Sequence, residues 1–169
     1  MITIISSSNR KNNNTQIIAK ELFNIIRSKQ LPAQYFSLED LPENFKLSDI
    51  YEYDNSPLQK IIDDYIDSAD VLIFVMPEYN GSYPGVLKVF IDAVKPQYFK
   101  GKKVGLIGVA SGRAGNLRGL DQLTNVFNYM GAHVAPYKLP ISGIENLIEE
   151  NRLVDKETRN VLENFVDRL

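Results

Sequence analysis

VLIFVM (Val71–Met76) is followed directly by PEYNGSYPG (Pro77–Gly85) and then by VLKVFIDAV (Val86–Val94). The first run is short, unbroken and apolar, with repeated β-branched residues, which suits a strand buried on both faces of a parallel sheet. The middle stretch is punctuated by Pro, Asn-Gly and Pro-Gly and reads as a tight turn. The last is apolar nearly all round, with only Lys88 and Asp92 charged, and reads as a helix opened by Pro84 and running to about Val94. A buried strand, a turn and a helix in immediate succession are one crossover unit of an α/β sheet.

The same unit recurs on either side. Met1–Ile5 and Val104–Val109 are further apolar strand candidates, and Ala33–Phe36 and His133–Ala135 are weaker ones. Ile17, Ile18, Leu22, Ile25 and Ile26 recur at helical spacing. Ser56-Pro57 reads as an N-cap with proline at the first helical position, ahead of Ile61, Ile62, Tyr65 and Ile66. Leu117–Met130 forms a fourth helix. Asp155 can cap a fifth, with Val161, Leu162 and Phe165 inward. The order is βαβαβαβαβα, which implies a parallel sheet with helices on both faces, in one domain over residues 1–169. Leu38–Asn55 is acidic, has no clear periodicity and reads as a surface loop carrying Tyr51 and Tyr53.

The chain has 169 residues, 44% hydrophobic and 24% charged, which is ordinary for a globular protein with a real core. Its net charge of −2 gives no basis for a general affinity for nucleic acid or anionic membrane. With no cysteine there is no disulfide, no thiolate metal site and no thiol nucleophile. There is neither a signal-like start nor an apolar run of membrane-spanning length, so the sequence fits a cytoplasmic protein. No metal-ligand cluster is expected.

In a sheet of this kind, ligands sit at the carboxyl ends of the strands. Three unusual loops leave the three strongest strands there. SSSNRKNNNT (Ser6–Thr15) holds only hydrogen-bonding groups and positive charge, just before a helix. A helix N-terminus binds anions, to which Ser8, Asn14 and Thr15 add short donors and Arg10 a fork of N–H groups. It carries neither a G-x-G-x-x-G dinucleotide fingerprint nor a G-K-[ST] triphosphate loop. On composition alone, a solvated loop with a helix cap is the alternative. The Pro77–Gly85 turn presents backbone groups in fixed directions, able to read the polar edge of a flat ring with Tyr79 or Tyr83 over a face. An ordinary strand-to-helix connection is its alternative. ASGRAGNLRG (Ala110–Gly119) lets the backbone approach a ligand closely and carries Arg113 and Arg118 without helix partners. Capping and flexibility are its alternative.

These loops resemble those of NADPH-dependent FMN reductases, flavodoxin-like enzymes related to azoreductases, chromate reductases and quinone reductases. SSNRKNNNT (Ser7–Thr15) resembles their G-S-x-R-x-x-S-N-T phosphate loop, with Ser7 in place of a common glycine and Asn13 in place of a common serine. PEYNGSYPG resembles their P-E-Y-N-x-S-x-P-G flavin loop closely, whereas SGRAGNLRG resembles their third loop only loosely. The resemblance implies a doubly wound five-stranded parallel sheet of order 2-1-3-4-5. It also implies FMN, with its phosphate held by Ser8, Arg10, Asn13, Asn14 and Thr15. The ring would then lie on Pro77, Glu78, Tyr79, Asn80 and Gly81, with further contacts at Ser111, Gly112 and Gly115.

By the same resemblance, NADPH or NADH gives hydride to the flavin, which passes it to a small acceptor: a quinone, free flavin, azo compound or metal oxyanion. The cofactor carries this chemistry, so no protein acid–base residue is required. Glu78 is given a binding position, and His133, the only histidine, a structural one. The all-round apolar helix 84–95, together with the resemblance, implies a homodimer or homotetramer built on it. A flavodoxin-type electron carrier and a flavin-binding regulatory domain without turnover are the competing readings.

Overall fold

The computed structural model describes residues 1–53 and 56–169. The crossover unit that opened the sequence reading forms at the centre of the sheet. Strand β3 (Val71–Pro77) runs into the turn, and helix α3 (Gly85–Asp92) follows with Pro84 at its N-cap. Side chains alternate across β3: Leu72, Phe74 and Met76 enter one core, Ile73 and Val75 the other. Burial of both sets explains the unbroken apolar run.

Strand β1 (Ile2–Ser6) lies between β2 (Ala33–Ser37) and β3, and β3 pairs with β4 (Lys103–Val109), all in parallel. Short strands β5 (His133–Val134) and β6 (Leu139–Ile141) both pair with β4, so the order is 2-1-3-4-5 with the fifth position split in two. Pro136 removes a ladder donor between them. Val104 faces Val134 and Ile107 faces Leu139, so the edge chain bulges by two residues before it rejoins the sheet.

Helices α1 (Asn14–Ser28) and α5 (Lys156–Asp167) cover one face through Ile18, Leu22, Ile25, Leu162 and Phe165. The other face is covered by α2 (Gln59–Ile61, continuing as π-helix through Ile62–Asp67), α3 and α4 (Leu117–Tyr129). Phe127 packs there against Phe74, tilted at a ring-centroid distance of 4.8 Å, and against Phe99, edge to face at 5.4 Å. The Ser56 hydroxyl accepts the Leu58 N–H at 3.2 Å, and regular helix begins at Gln59 rather than at Pro57. Asp155 caps α5 by accepting the Thr158 N–H at 2.7 Å.

The connection from Leu38 is more structured than the surface loop expected. Its described residues include two short 3₁₀ turns, Leu38 is buried, and Leu41, Phe45 and Ile50 pack against the core. Without a helical or strand period these apolar residues leave no pattern in the sequence. Asn55, at its end, lies outside the described residues. Beyond β6 a hairpin of β7 (Ile148–Glu149) and β8 (Arg152–Leu153) packs toward α1.

Candidate functional site: three loops over the switch point

Chain order reverses between β1 and β3, and the loops leaving these strands meet there. The pairing of β1 with β3 continues past the strand, as the Ser7 N–H donates to the Val75 carbonyl at 2.8 Å. The Ser8 hydroxyl, fully buried, lies 2.8 Å from the Tyr79 hydroxyl. This bond ties the first loop to the second. The same Ser8 oxygen accepts the Arg10 N–H at 3.3 Å, and the Arg10 guanidinium lies 6.0 Å from the Tyr79 ring centroid.

Asn13 caps α1. Its side-chain oxygen accepts the Gln16 N–H at 2.9 Å and its amide donates to the Arg10 carbonyl at 2.6 Å. The carboxamide is thus engaged in shaping the loop. Asn14 and Thr15 begin the helix, and no earlier helical carbonyl serves the N–H groups of this first turn. Asn12 is left-handed at φ 54°, which turns the chain toward the helix start.

The second loop is built on a two-residue turn. Tyr79 and Ser82 exchange backbone bonds of 2.9 and 3.1 Å, with Asn80 at φ 52° and Gly81 at φ 74° between them. Positive φ at both central positions defines a type I′ turn, for which Asn-Gly is the favoured pair. A β-carbon at Gly81 would meet nothing within 4 Å, so the requirement there is conformational. The loop is anchored to β4 as well, the Glu78 N–H donating to the Val109 carbonyl at 2.9 Å.

In the third loop the Ser111 hydroxyl donates to Glu145 Oε1 at 2.9 Å. Gly112 is exposed. Gly115, at φ 57°, packs on β6, where an added β-carbon would lie 2.7 Å from Pro140 Cβ.

The three loops enclose a cleft of about 320 Å³. The first loop lines it from Arg10 to Thr15, the second with Pro77, Glu78 and Tyr79, and the third with Val109, Ala110 and Ser111. Ile144 and Glu145 close it. The structure therefore brings together Arg10, Asn13, Asn14, Thr15, Pro77, Glu78, Tyr79 and Ser111 of the residues singled out from sequence. Ser8 supports the lining from beneath. Asn80 and Gly81 shape the turn beside it. Gly112, in an exposed loop position, and Gly115, packed on β6, are not among the residues that line it. His133 is exposed at the start of β5, at the opposite end of the sheet from the cleft.

Lys11, Ile144 and Glu145 escaped the sequence reading as lining residues. The last two follow a strand too short to announce the loop after it. Cations gather at the α1 end, where Arg10 and Lys11 line the cleft, and the carboxylates Glu78 and Glu145 lie toward the other two loops. The cationic end, with the start of α1 and several amides, has the donor set a phosphate dianion needs. The volume suits a small cofactor. No group of His, Asp or Glu among the described residues is placed to hold a metal ion. No helix in them is long and apolar enough to cross a membrane.

Residues 1–145 match the sequence profile of NADPH-dependent FMN reductases. The chain belongs to the NADPH-dependent FMN reductase family. Within this family's relatives, a NAD(P)H-dependent FMN reductase of Pseudomonas aeruginosa is 33% identical over 128 residues, covering 72% of this chain and 68% of that protein. An FMN-dependent NADPH-azoreductase of Staphylococcus aureus is 33% identical over 119 residues, covering 64% of this chain and 60% of the relative. The solved structure of FerB, a flavoenzyme NAD(P)H:(acceptor) oxidoreductase from Paracoccus denitrificans, superposes with a TM-score of 0.74 at 25% identity. That superposition covers 98% of this chain and 92% of FerB. The family's flavodoxin-like fold is the 2-1-3-4-5 sheet described above.

Proposed function

We propose that this protein is an NAD(P)H-dependent FMN oxidoreductase that passes reducing equivalents to a small acceptor of the quinone, flavin, azo or metal-oxyanion class. The observation that carries the reading is the joining of a cationic, amide-rich helix start to a rigid Asn-Gly turn through the Ser8–Tyr79 bond. Arg10, Lys11 and the first N–H groups of α1 would hold the phosphate of FMN. The backbone of Pro77–Tyr79, fixed by the turn and by Val109, would orient the ring. FMN held there would supply the two-electron redox chemistry between the nicotinamide and the acceptor. The side chains bind, orient and exclude water, and none is assigned a proton transfer.

The test is an absorbance spectrum of the purified protein loaded with FMN, followed by anaerobic addition of NADPH or NADH. Bleaching of the flavin band and its return with a quinone support the reading. Flavin uptake without bleaching would instead favour an electron carrier or a binding domain.

Copies of this chain, on the same reading, pair through α3. Val86 and Val89 are only partly buried on that helix. Beside it, Ile91, Pro96, Val126 and Met130 line an apolar groove, next to a Tyr129 that is 93% exposed. Ala93, by contrast, is fully buried within its own protomer and faces no partner.

A further inference from the structure

Asn116 is a tightly constrained polar residue behind the cleft. It is fully buried and sits in the left-handed region, at φ 65° and ψ 33°, as the N-cap of α4. An asparagine at this position ordinarily turns its side-chain oxygen onto the N–H groups of its own helix. Here there is no such bond, and Oδ1 is buried without a donor. The amide nitrogen instead donates away from the helix, to the Pro77 carbonyl at 2.9 Å and the Met76 carbonyl at 3.3 Å. Two glycines make room for it. A β-carbon on Gly119 would lie 2.2 Å from Asn116 Oδ1, and one on Gly108 would lie 3.0 Å from Asn116 Cβ.

A left-handed non-glycine residue and an unpartnered buried acceptor each oppose folding. Both are tolerated at the point where the third loop grips the second. The shorter of its two bonds falls on a peptide group that is held from both sides. The Pro77–Glu78 unit has its carbonyl held by Asn116 and its N–H held by the Val109 carbonyl at 2.9 Å. Pro77 and Glu78 both line the cleft.

The geometry points to Asn116 as a positioning residue that sets the orientation of the Pro77–Glu78 peptide, and through it the ring end of the cofactor site. This rests on the reading of the cleft as an FMN site. Asn116 touches neither cofactor nor substrate in this role. It acts on the direction in which the chain leaves β3, whereas Arg10 acts on the phosphate.

The two roles separate experimentally. Asn116→Gly keeps the left-handed backbone and removes both donors. FMN and riboflavin should lose affinity by the same factor, about 10-fold or more. The rate constant of flavin reduction at saturating flavin and NADPH should fall roughly 10- to 100-fold. Asn116→Asp has the same shape but, when ionised, no donor. Its flavin affinity should therefore recover as the buried carboxyl is protonated at lower pH, a profile the wild type does not show.

Wild-type riboflavin affinity and reduction rate in Asn116→Gly would overturn the role, leaving Asn116 a packing residue. A loss confined to FMN would do the same. Should the glycine variant not fold, the labelled wild-type protein gives the answer. Its Asn116 side-chain amide resonances should shift on adding either FMN or riboflavin, and unshifted resonances would overturn the proposal. A wild-type protein without flavin affinity would sink the underlying function reading instead, along with this one.

Discussion

Arg10 couples the charge of the first loop to the ring of Tyr79 in the second. Arg10→Ala should weaken FMN binding by about 1.5–3 kcal/mol, the range for a hydrogen bond to a charged group, with riboflavin affected far less. Fluorescence titration with both ligands checks this, and equal losses would place Arg10 away from the phosphate. Gly81 acts through backbone conformation. Its φ of 74° with open space around the position predicts that Gly81→Val strains the turn by about 1–3 kcal/mol and damages flavin binding. Gly81→Asn, which tolerates the left-handed region, should keep most of that binding. The same titration with a thermal melt separates the variants. Both residues were legible in the sequence because their chemistry is local: a cation before a helix start, and glycine after asparagine in a turn. Asn116 was not legible. Next to a glycine it reads as one more turn residue, and the carbonyls it holds lie 39 and 40 positions earlier.

Helix α5 shows how an element depends on its cap. Hydrogen bonding from Thr158, by its side chain first and then by its backbone N–H at 2.7 Å, holds the Asp155 carboxyl below its ordinary range. A depressed folded-state value stabilises the ionised form. The contribution is complete above the unfolded value of about 4 and is lost as pH falls through the lower folded value. Asp155→Ala should therefore lower the melting temperature at pH 7, and the gap to wild type should close on acidification. Melts across that range decide it, and a gap constant down to pH 2 would put the effect elsewhere. The five helices and the central strands were readable from periodicity, and Asp155 from cap chemistry. The two-part fifth strand was less so, because Pro136 and a two-residue bulge interrupt its pattern. The packed turns between β2 and α2 were hidden for a different reason: Leu38, Phe45 and Ile50 reach the core without any regular period.

For the molecule as a whole, α3 carries the expectation of assembly. Val89→Glu should place an unpaired charge in the proposed contact and weaken pairing by roughly 3 kcal/mol or more, about 100-fold. Sedimentation at micromolar concentration reads this directly, and a wild-type monomer would remove the premise. Ala93→Glu tests something else: at a fully buried site it should unfold the protomer. The alternation of strands and helices made the layered sheet legible throughout. The cleft was legible in the three loops that enclose it and not in its last wall, since Ile144 and Glu145 belong to a segment with no motif. That wall has a consequence for how the protein is made. During synthesis Tyr79 emerges 71 residues after its neighbour Ser8, and Glu145 emerges 34 residues after its partner Ser111. A nascent chain therefore displays the cationic loop long before it can enclose anything, and the cleft can close only once Glu145 has emerged.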